Sequence, residues 1–561
     1  MFTKQIHHYV FLVATALLVI GLPVSYFLLS VAQILLALNW ILEGNFRKKI
    51  KILKSNMPLL LVLSVYVLHL IWLANTDQFF KHLFESLSVF NHSGLRTAIE
   101  SFKTTSFPAN LANGLHDLRI KLPLLALPLI YGTTPQISRK EFKIILQLFI
   151  ATVLVSTFIT TYVLLGFSSI EPVDSRYASL FISHIRFALI IVLAIFIQVY
   201  FIFFDLLPLP KWERNVYSLS SIWLICFLIL LNSFTGIVIF ALLAPVTTIW
   251  WGYQKKKVVF IRKAFISSGV IILLIIIYAT YAYSRYKIIH DSTTDHLESY
   301  TASGNPYLHK PSLQEYENGY LVWIYICPKE LEKEWNKRST YGFNGLDQKG
   351  QHLKHTLIRY LTSLGYRKDS VGISKLEESD IKMIEKGNTN YLFKKKFAIY
   401  PRIYELLWEV DRYRKGGDPS GHSLAQRIVY LKTGIHIIKR HFWFGTGTGD
   451  VDQAFKEQYE LDNTKLQPKW RLRAHNQFIT FFLTFGIFGF LWFLFALFMT
   501  PYFLNRYRSY LFTIFFLIGV LSMLNEDTLE THTGVSFFAF FYAFFLFSMP
   551  ENQKPGNAET E

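Results

Sequence analysis

"AFISSGVIILLIIIYATYAY", residues Ala264–Tyr283, carries no charge over the roughly 20 residues that an α-helix needs to cross the hydrocarbon of a bilayer. A soluble domain breaks such a run with polar positions, so this stretch predicts a membrane span. The rest of the chain agrees: of its 561 residues 52% are hydrophobic and 17% aromatic, and the mean hydropathy of +0.29 is too high for a soluble protein of this size. The net charge of +18 does not imply a nucleic-acid partner. The cations lie in short loops between apolar runs, the distribution that the positive-inside rule produces, and are not gathered in one domain with stacking aromatics. Cys226 lies inside an apolar run and Cys327 in a polar one, so neither a disulfide nor a Cys-ligated metal is expected.

Working outward from that span, two dense basic loops fix the register. One holds Arg47, Lys48, Lys49, Lys51 and Lys54, the other Lys255, Lys256, Lys257, Arg262 and Lys263, and both are assigned inside. The first apolar stretch, Tyr9 to Leu42, is too long for one span and has Pro23 near its middle, which predicts two helices meeting in a tight turn. It lacks a small-residue cleavage site and is expected to be an anchor. Spans are further predicted at Met57–Leu73, Leu122–Tyr131, Phe142–Leu165, Ile185–Phe204, Tyr217–Leu231, Thr235–Trp251, Phe478–Met499, Leu511–Met523 and Val535–Met549. The expected fold is therefore an all-α polytopic membrane protein of about twelve transmembrane helices. It divides into a bundle over 1–283 with about nine helices, a large external domain over 284–473, about three helices over 474–549 and an internal tail over 550–561. Within the external domain Leu331–Lys337, His352–Leu364 and Leu424–Lys439 have helical patterning, and Ser423 is a plausible cap after the turn Gly416–Gly421.

Three segments could carry chemistry. In "RAHNQFITFFLTFGIFGF", His475 and Asn476 stand at the mouth of a membrane helix. An interfacial residue is the simpler reading of that histidine, but imidazole can act as a base near neutral pH, and Arg471 and Arg473 are expected to hold anionic groups beside it. In "SLAQRIVYLKTGIHIIKRHFWFGTGTGD" an amphipathic helix with Arg427 precedes Gly445, Gly447 and Gly449. Such a turn could cradle a phosphate through its N–H groups, but without a strand-to-helix context that signal is weak, and a turn returning to the membrane is the simpler account. In "VDSRYASLFISHIRFAL", Arg176 falls in a short external loop and Arg186 at the start of the next helix, where arginine commonly reaches toward lipid headgroups. Topology places Arg176, Arg427 and His475 on one face. Two fixed cations beside a base would suit a lipid pyrophosphate. No HExxH, Walker lysine or Cys/His ligand spacing is present, so ATP hydrolysis and zinc chemistry have no support, and no charged array within the spans supports a transporter.

These stretches, together with "NSFTGIVIFALLA", resemble the O-antigen ligases and their relatives, the O-antigen polymerases and the bacterial O-linked oligosaccharyltransferases. The resemblance implies a helical membrane bundle of the GT-C type in the bacterial inner membrane. It implies transfer of a glycan from undecaprenyl pyrophosphate to an acceptor at the periplasmic face, with inversion and with no metal or other cofactor. By the same resemblance His475 is the catalytic histidine, and Arg176 and Arg427 hold the pyrophosphate, with Arg186 a second candidate for that role. Lipid A–core is the acceptor expected of a ligase, a second lipid-linked repeat that of a polymerase, and a protein hydroxyl that of an oligosaccharyltransferase. Nothing in the resemblance assigns a role to Tyr300–Lys396.

Overall fold

Pro23 and Ser25 decide where the first apolar run breaks. Helix Phe2–Val24 ends there, and helix Tyr26–Leu42 starts with Ser25 in extended conformation, its hydroxyl accepting from the Leu28 N–H at 3.2 Å. At the other end of this hairpin the His7 Nδ1 and Asn39 Oδ1 atoms are 2.9 Å apart. The computed structural model describes residues 2–73, 111–167, 181–204, 209–290, 296–394 and 399–550. Among these, seven helices are long and apolar enough to cross a membrane: Lys4–Val24, Arg139–Leu164, His184–Phe203, Lys211–Leu230, Phe234–Gln254, Val258–Tyr286 and Gln477–Phe503. Helices Tyr26–Leu42 and Phe46–Ser55 form a pair bent by 107°, and Met57–Ile71, Tyr510–Met523 and His532–Ser548 are shorter and apolar. The segment Leu122–Tyr131, expected to span, forms helix Pro123–Thr133. Its 11 residues reach only about 16 Å, half of the hydrocarbon thickness.

The chain forms two compact units, Met1–Ile266 with Gln426–Glu561, and Ser267–Ala425. In the first, helix His184–Phe203 is apolar all round, and every residue from Phe187 to Gln198 is buried, as befits a central helix. Aromatic rings fill much of the core beside it: Phe142 stacks on Phe544 with centroids 4.9 Å apart, and Phe149 meets Phe541 edge-on at 4.9 Å.

Helix Gln477–Phe503 is broken at Gly486, whose φ of 63° and ψ of −173° are not helical. The break is filled by the segment around Gly445. A Cβ on Gly445 would collide with the Thr484 carbonyl, and one on Gly486 with the Trp443 carbonyl, so only glycine fits at either position. The carbonyls and N–H groups released by the break are used in turn: Thr446 N donates to Leu483 O at 2.8 Å, Gly447 N to Thr484 O at 3.0 Å, and Ile487 N to Phe442 O at 2.8 Å.

The second unit contains helices Pro328–Arg338, Leu353–Ser363, Glu378–Glu385 and Ile399–Arg414, with a short antiparallel pair, Tyr316–Glu317 and Tyr320–Leu321. Trp335, Leu331, Leu357 and Ile384 form its core. Glu317 is buried and answered on all sides, accepting from Arg359 Nε at 2.7 Å and Asn390 Nδ2 at 2.9 Å.

Candidate active site

His475 owes its position to the start of the broken helix. Asn476 caps that helix by accepting from the Ile479 N–H at 3.1 Å, and its own amide donates to Leu524 O at 2.8 Å. His475, just outside the helix, has a φ of 50°. For a side chain with a Cβ this left-handed conformation costs roughly 1–2 kcal/mol, and such strain persists only where surrounding contacts impose it. Those contacts are present. The His475 N–H donates to Asp527 Oδ2 at 2.9 Å, and the imidazole lies against the Tyr430 ring at 5.5 Å and 28°. Tyr430 is itself fixed by a 2.6 Å bond from its hydroxyl to Trp470 O.

The segment Asn525–Glu530, between helices Tyr510–Met523 and His532–Ala543, supplies the charges of the site. Glu526 bridges the two residues expected to act: its Oε1 accepts from Arg427 Nη2 at 2.5 Å, and its Oε2 lies 3.5 Å from His475 Nδ1. That second distance is long for a hydrogen bond, and Nδ1 is buried with no other partner among the described residues. Asn525 adds two acceptors for Arg427, its carbonyl and its Oδ1, the latter at 2.7 Å, and donates to Thr235 Oγ1 at 2.7 Å. Asp527 is held by Thr480 Oγ1 at 2.7 Å. Glu530 accepts from Lys121 at 2.7 Å, Arg473 at 2.8 Å and Gln477 at 3.0 Å.

Two adjacent carboxyls are thereby driven apart. Burial pushes Glu526 up, but His475 and Arg427 outweigh it, and its pKa lies below the usual carboxylate value. Burial dominates at Asp527 and raises its pKa despite the Thr480 bond. The environment beside the imidazole thus favours the charge of Glu526 more than that of Asp527.

The structure sorts the sequence-derived candidates. His475 and Arg427 are brought together through Glu526. Arg186 lies in the first turn of helix His184–Phe203; it bonds Ser183 Oγ at 3.0 Å, its Nε is buried without a partner, and Glu526 and Asp527 act on its charge. No carboxylate is within ion-pair distance of Arg186 among the described residues, so of the two described arginine candidates it keeps the more hydrogen-bonding capacity. Arg176 lies outside the described residues. Arg471 and Arg473, expected to hold anions, are already neutralised: Arg471 pairs with Glu460, and Arg473 with Asp452 at 2.6 Å and Glu530 at 2.8 Å. The glycine turn does not cradle a phosphate with residues 445–448, because those four N–H groups donate to the carbonyls of His441, Leu483, Thr484 and Trp72. Glu526, Asp527 and Glu530 were missed in the sequence. Their signal was available: three carboxylates in one short loop between two apolar segments, on the face already assigned to His475.

No curated protein matches the chain. Residues 386–494, which hold Arg427, Tyr430, the glycine turn and His475, match the model of the O-antigen ligase family.

Proposed function

We propose that the protein transfers a glycan from undecaprenyl pyrophosphate to a hydroxyl of lipid A–core at the periplasmic face of the bacterial inner membrane. In this reading about twelve spans in a GT-C-like arrangement carry the chain, and the region 284–473 faces the periplasm. The match of residues 386–494 to the O-antigen ligase family model supports glycan transfer in general. The observation that carries the finer reading is Glu526 shared between His475 and Arg427, with Arg186 nearby lacking a carboxylate partner.

Neutral His475 takes the proton of the acceptor hydroxyl as that oxygen bonds to the anomeric carbon from the side opposite the pyrophosphate. The bond from carbon to phosphate oxygen breaks with its electron pair, and the configuration inverts. Glu526 stabilises the imidazolium that forms, as a carboxylate does for a general-base histidine. Charge growing on the departing pyrophosphate is met first by Arg186, which has no carboxylate partner among the described residues, with Arg427, whose charge is shared with Glu526, and Arg176 as further cations. Fixed guanidiniums supply this stabilisation, and no metal enters the step.

The test is a deletion strain. Loss of capped lipopolysaccharide with accumulation of lipid-linked polymer, restored by the wild-type gene and not by His475→Ala, is the expected result. Restoration by His475→Ala at near wild-type level removes the histidine from catalysis. Lipopolysaccharide with single-repeat chains, or intact lipopolysaccharide with lost glycoprotein, replaces the ligase reading with a polymerase or a protein glycosylase.

A further inference from the structure

Within the unit Ser267–Ala425 two helices each present a ring and a guanidinium one turn apart: His355 with Arg359 on Leu353–Ser363, and Trp408 with Arg412 on Ile399–Arg414. The pairs interlock. The guanidinium carbons of Arg359 and Arg412 stand 4.4 and 5.1 Å from the Trp408 ring centre. His422 meets Trp408 edge-on at 5.2 Å and has Nε2 3.4 Å from Arg412 Nη1. On the adjoining side His355 lies 5.8 Å from the Trp323 ring, whose N–H donates to Glu315 Oε2 at 2.6 Å. His355 is exposed and the other rings and guanidiniums are half-buried, so the face is open to a ligand.

The two arginines differ in how their charge is met. Arg359 is engaged by the buried Glu317. Arg412 has no carboxylate within ion-pair distance among the described residues, and Glu315, Asp418 and Glu317 act on it only from further away. Its hydrogen-bond partner is His422, an imidazole that burial, then Arg412 and Arg359, hold down to about 4, so it is neutral and offers no counter-charge. A half-buried guanidinium without a counter-ion is an unfavourable arrangement that an incoming carboxylate relieves, through the paired N–H geometry that arginine presents. Indole, imidazole and carboxylate groups beside it provide the apolar and hydroxyl-bonding contacts a sugar ring takes.

We propose that this face binds a saccharide bearing a carboxylate, with Arg412 receiving the carboxylate and Trp323, His355 and Glu315 meeting the sugar ring and its hydroxyls. That the ligand is a saccharide rests on the glycan-transfer reading, whereas its acidity rests on Arg412.

The experiment is calorimetric titration of the full chain in detergent with trigalacturonic acid and with maltotriose. The acidic trisaccharide is expected to bind at least about tenfold more tightly, and Arg412→Gln to bring it down to the maltotriose level with an unchanged unfolding midpoint. His355→Ala, at an exposed position, is read in parallel and is expected to weaken both sugars about threefold or more, in line with one lost hydrogen bond. Equal binding of the two sugars, or undiminished acid binding by Arg412→Gln, overturns the inference. So does acid binding lost in Arg186→Gln and retained in Arg412→Gln. The two proposals fail separately: a protein that binds the acid through Arg412 and transfers no glycan overturns only the ligase reading, and one that transfers glycan without this binding overturns only the subsite.

Discussion

Glu330 and Glu526 are both buried carboxylates with pKa values below the usual range, and they reach that state by opposite means. Glu330, in the unit Ser267–Ala425, accepts from Thr301 Oγ1 at 2.5 Å, Asn305 Nδ2 at 2.8 Å, Ser370 Oγ at 2.7 Å and Ser370 N at 2.9 Å. Every donor is neutral, and together they outweigh burial to bring the group to about 2. Glu526 is held by one fixed cation, Arg427, and faces the imidazole of His475, which stays 3.5 Å away in a strained backbone conformation. A saturated network of neutral donors fixes one geometry and has no proton to move. A network with one long contact to a titratable ring has spare capacity at the ring, which is the arrangement a general base requires.

Glu526→Gln tests this contrast with the largest effect. The amide fills the same space and can still bond Arg427, but it cannot stabilise an imidazolium. Turnover at saturating donor is expected to fall about 10²- to 10⁴-fold with little change in donor affinity, measured as glycan transfer by purified protein. A loss below tenfold would show that the carboxylate only places the ring. Arg186→Ala comes next. Removing the guanidinium that has no carboxylate partner is expected to weaken binding of the lipid-linked donor about 10- to 100-fold, with Arg186→Lys intermediate because ammonium lacks the bidentate geometry. Unchanged donor affinity in titration against the pyrophosphate lipid would leave Arg427 as the described cation at the leaving group.

The positions of the apolar helices were legible to within about seven residues at their ends, because each is a long and almost uncharged run and the break at Pro23 and Ser25 has a local cause. His475 and Arg427 were legible as residue types in a recognisable order. Their connection was not. Glu526 is 51 positions beyond His475 in the chain, and their approach depends on how helices Gln477–Phe503 and Tyr510–Met523 return the chain to the same level. The same limit explains Arg471 and Arg473: an arginine already paired with Glu460 or Asp452 has the same one-letter code as one that is free. At the glycine turn, composition showed that the backbone would be unusual, but whether its N–H groups face a ligand or a broken helix is a matter of packing against Gly486.

The smallest effect on function should come from Glu330→Gln, and it bears on the other half of the comparison. In the folded state the pKa of Glu330 is depressed, so its ionised form contributes stability that is fully present above the ordinary glutamate pKa of about 4.3 and is lost as pH falls toward about 2. The amide cannot accept at both oxygens, so at least one of the four donors loses its partner, at a cost of about 1–3 kcal/mol. Hydrogen exchange in the full-length protein is expected to show faster opening of residues around Thr301 and Ser370 at neutral pH, with the gap between variant and wild type closing as pH drops below 4. Transfer activity should be unchanged, because the network is saturated and takes no part in moving a proton. A variant that loses turnover while keeping its exchange protection would break the distinction between the two carboxylates, since a change confined to a structural network would then have reached the chemistry.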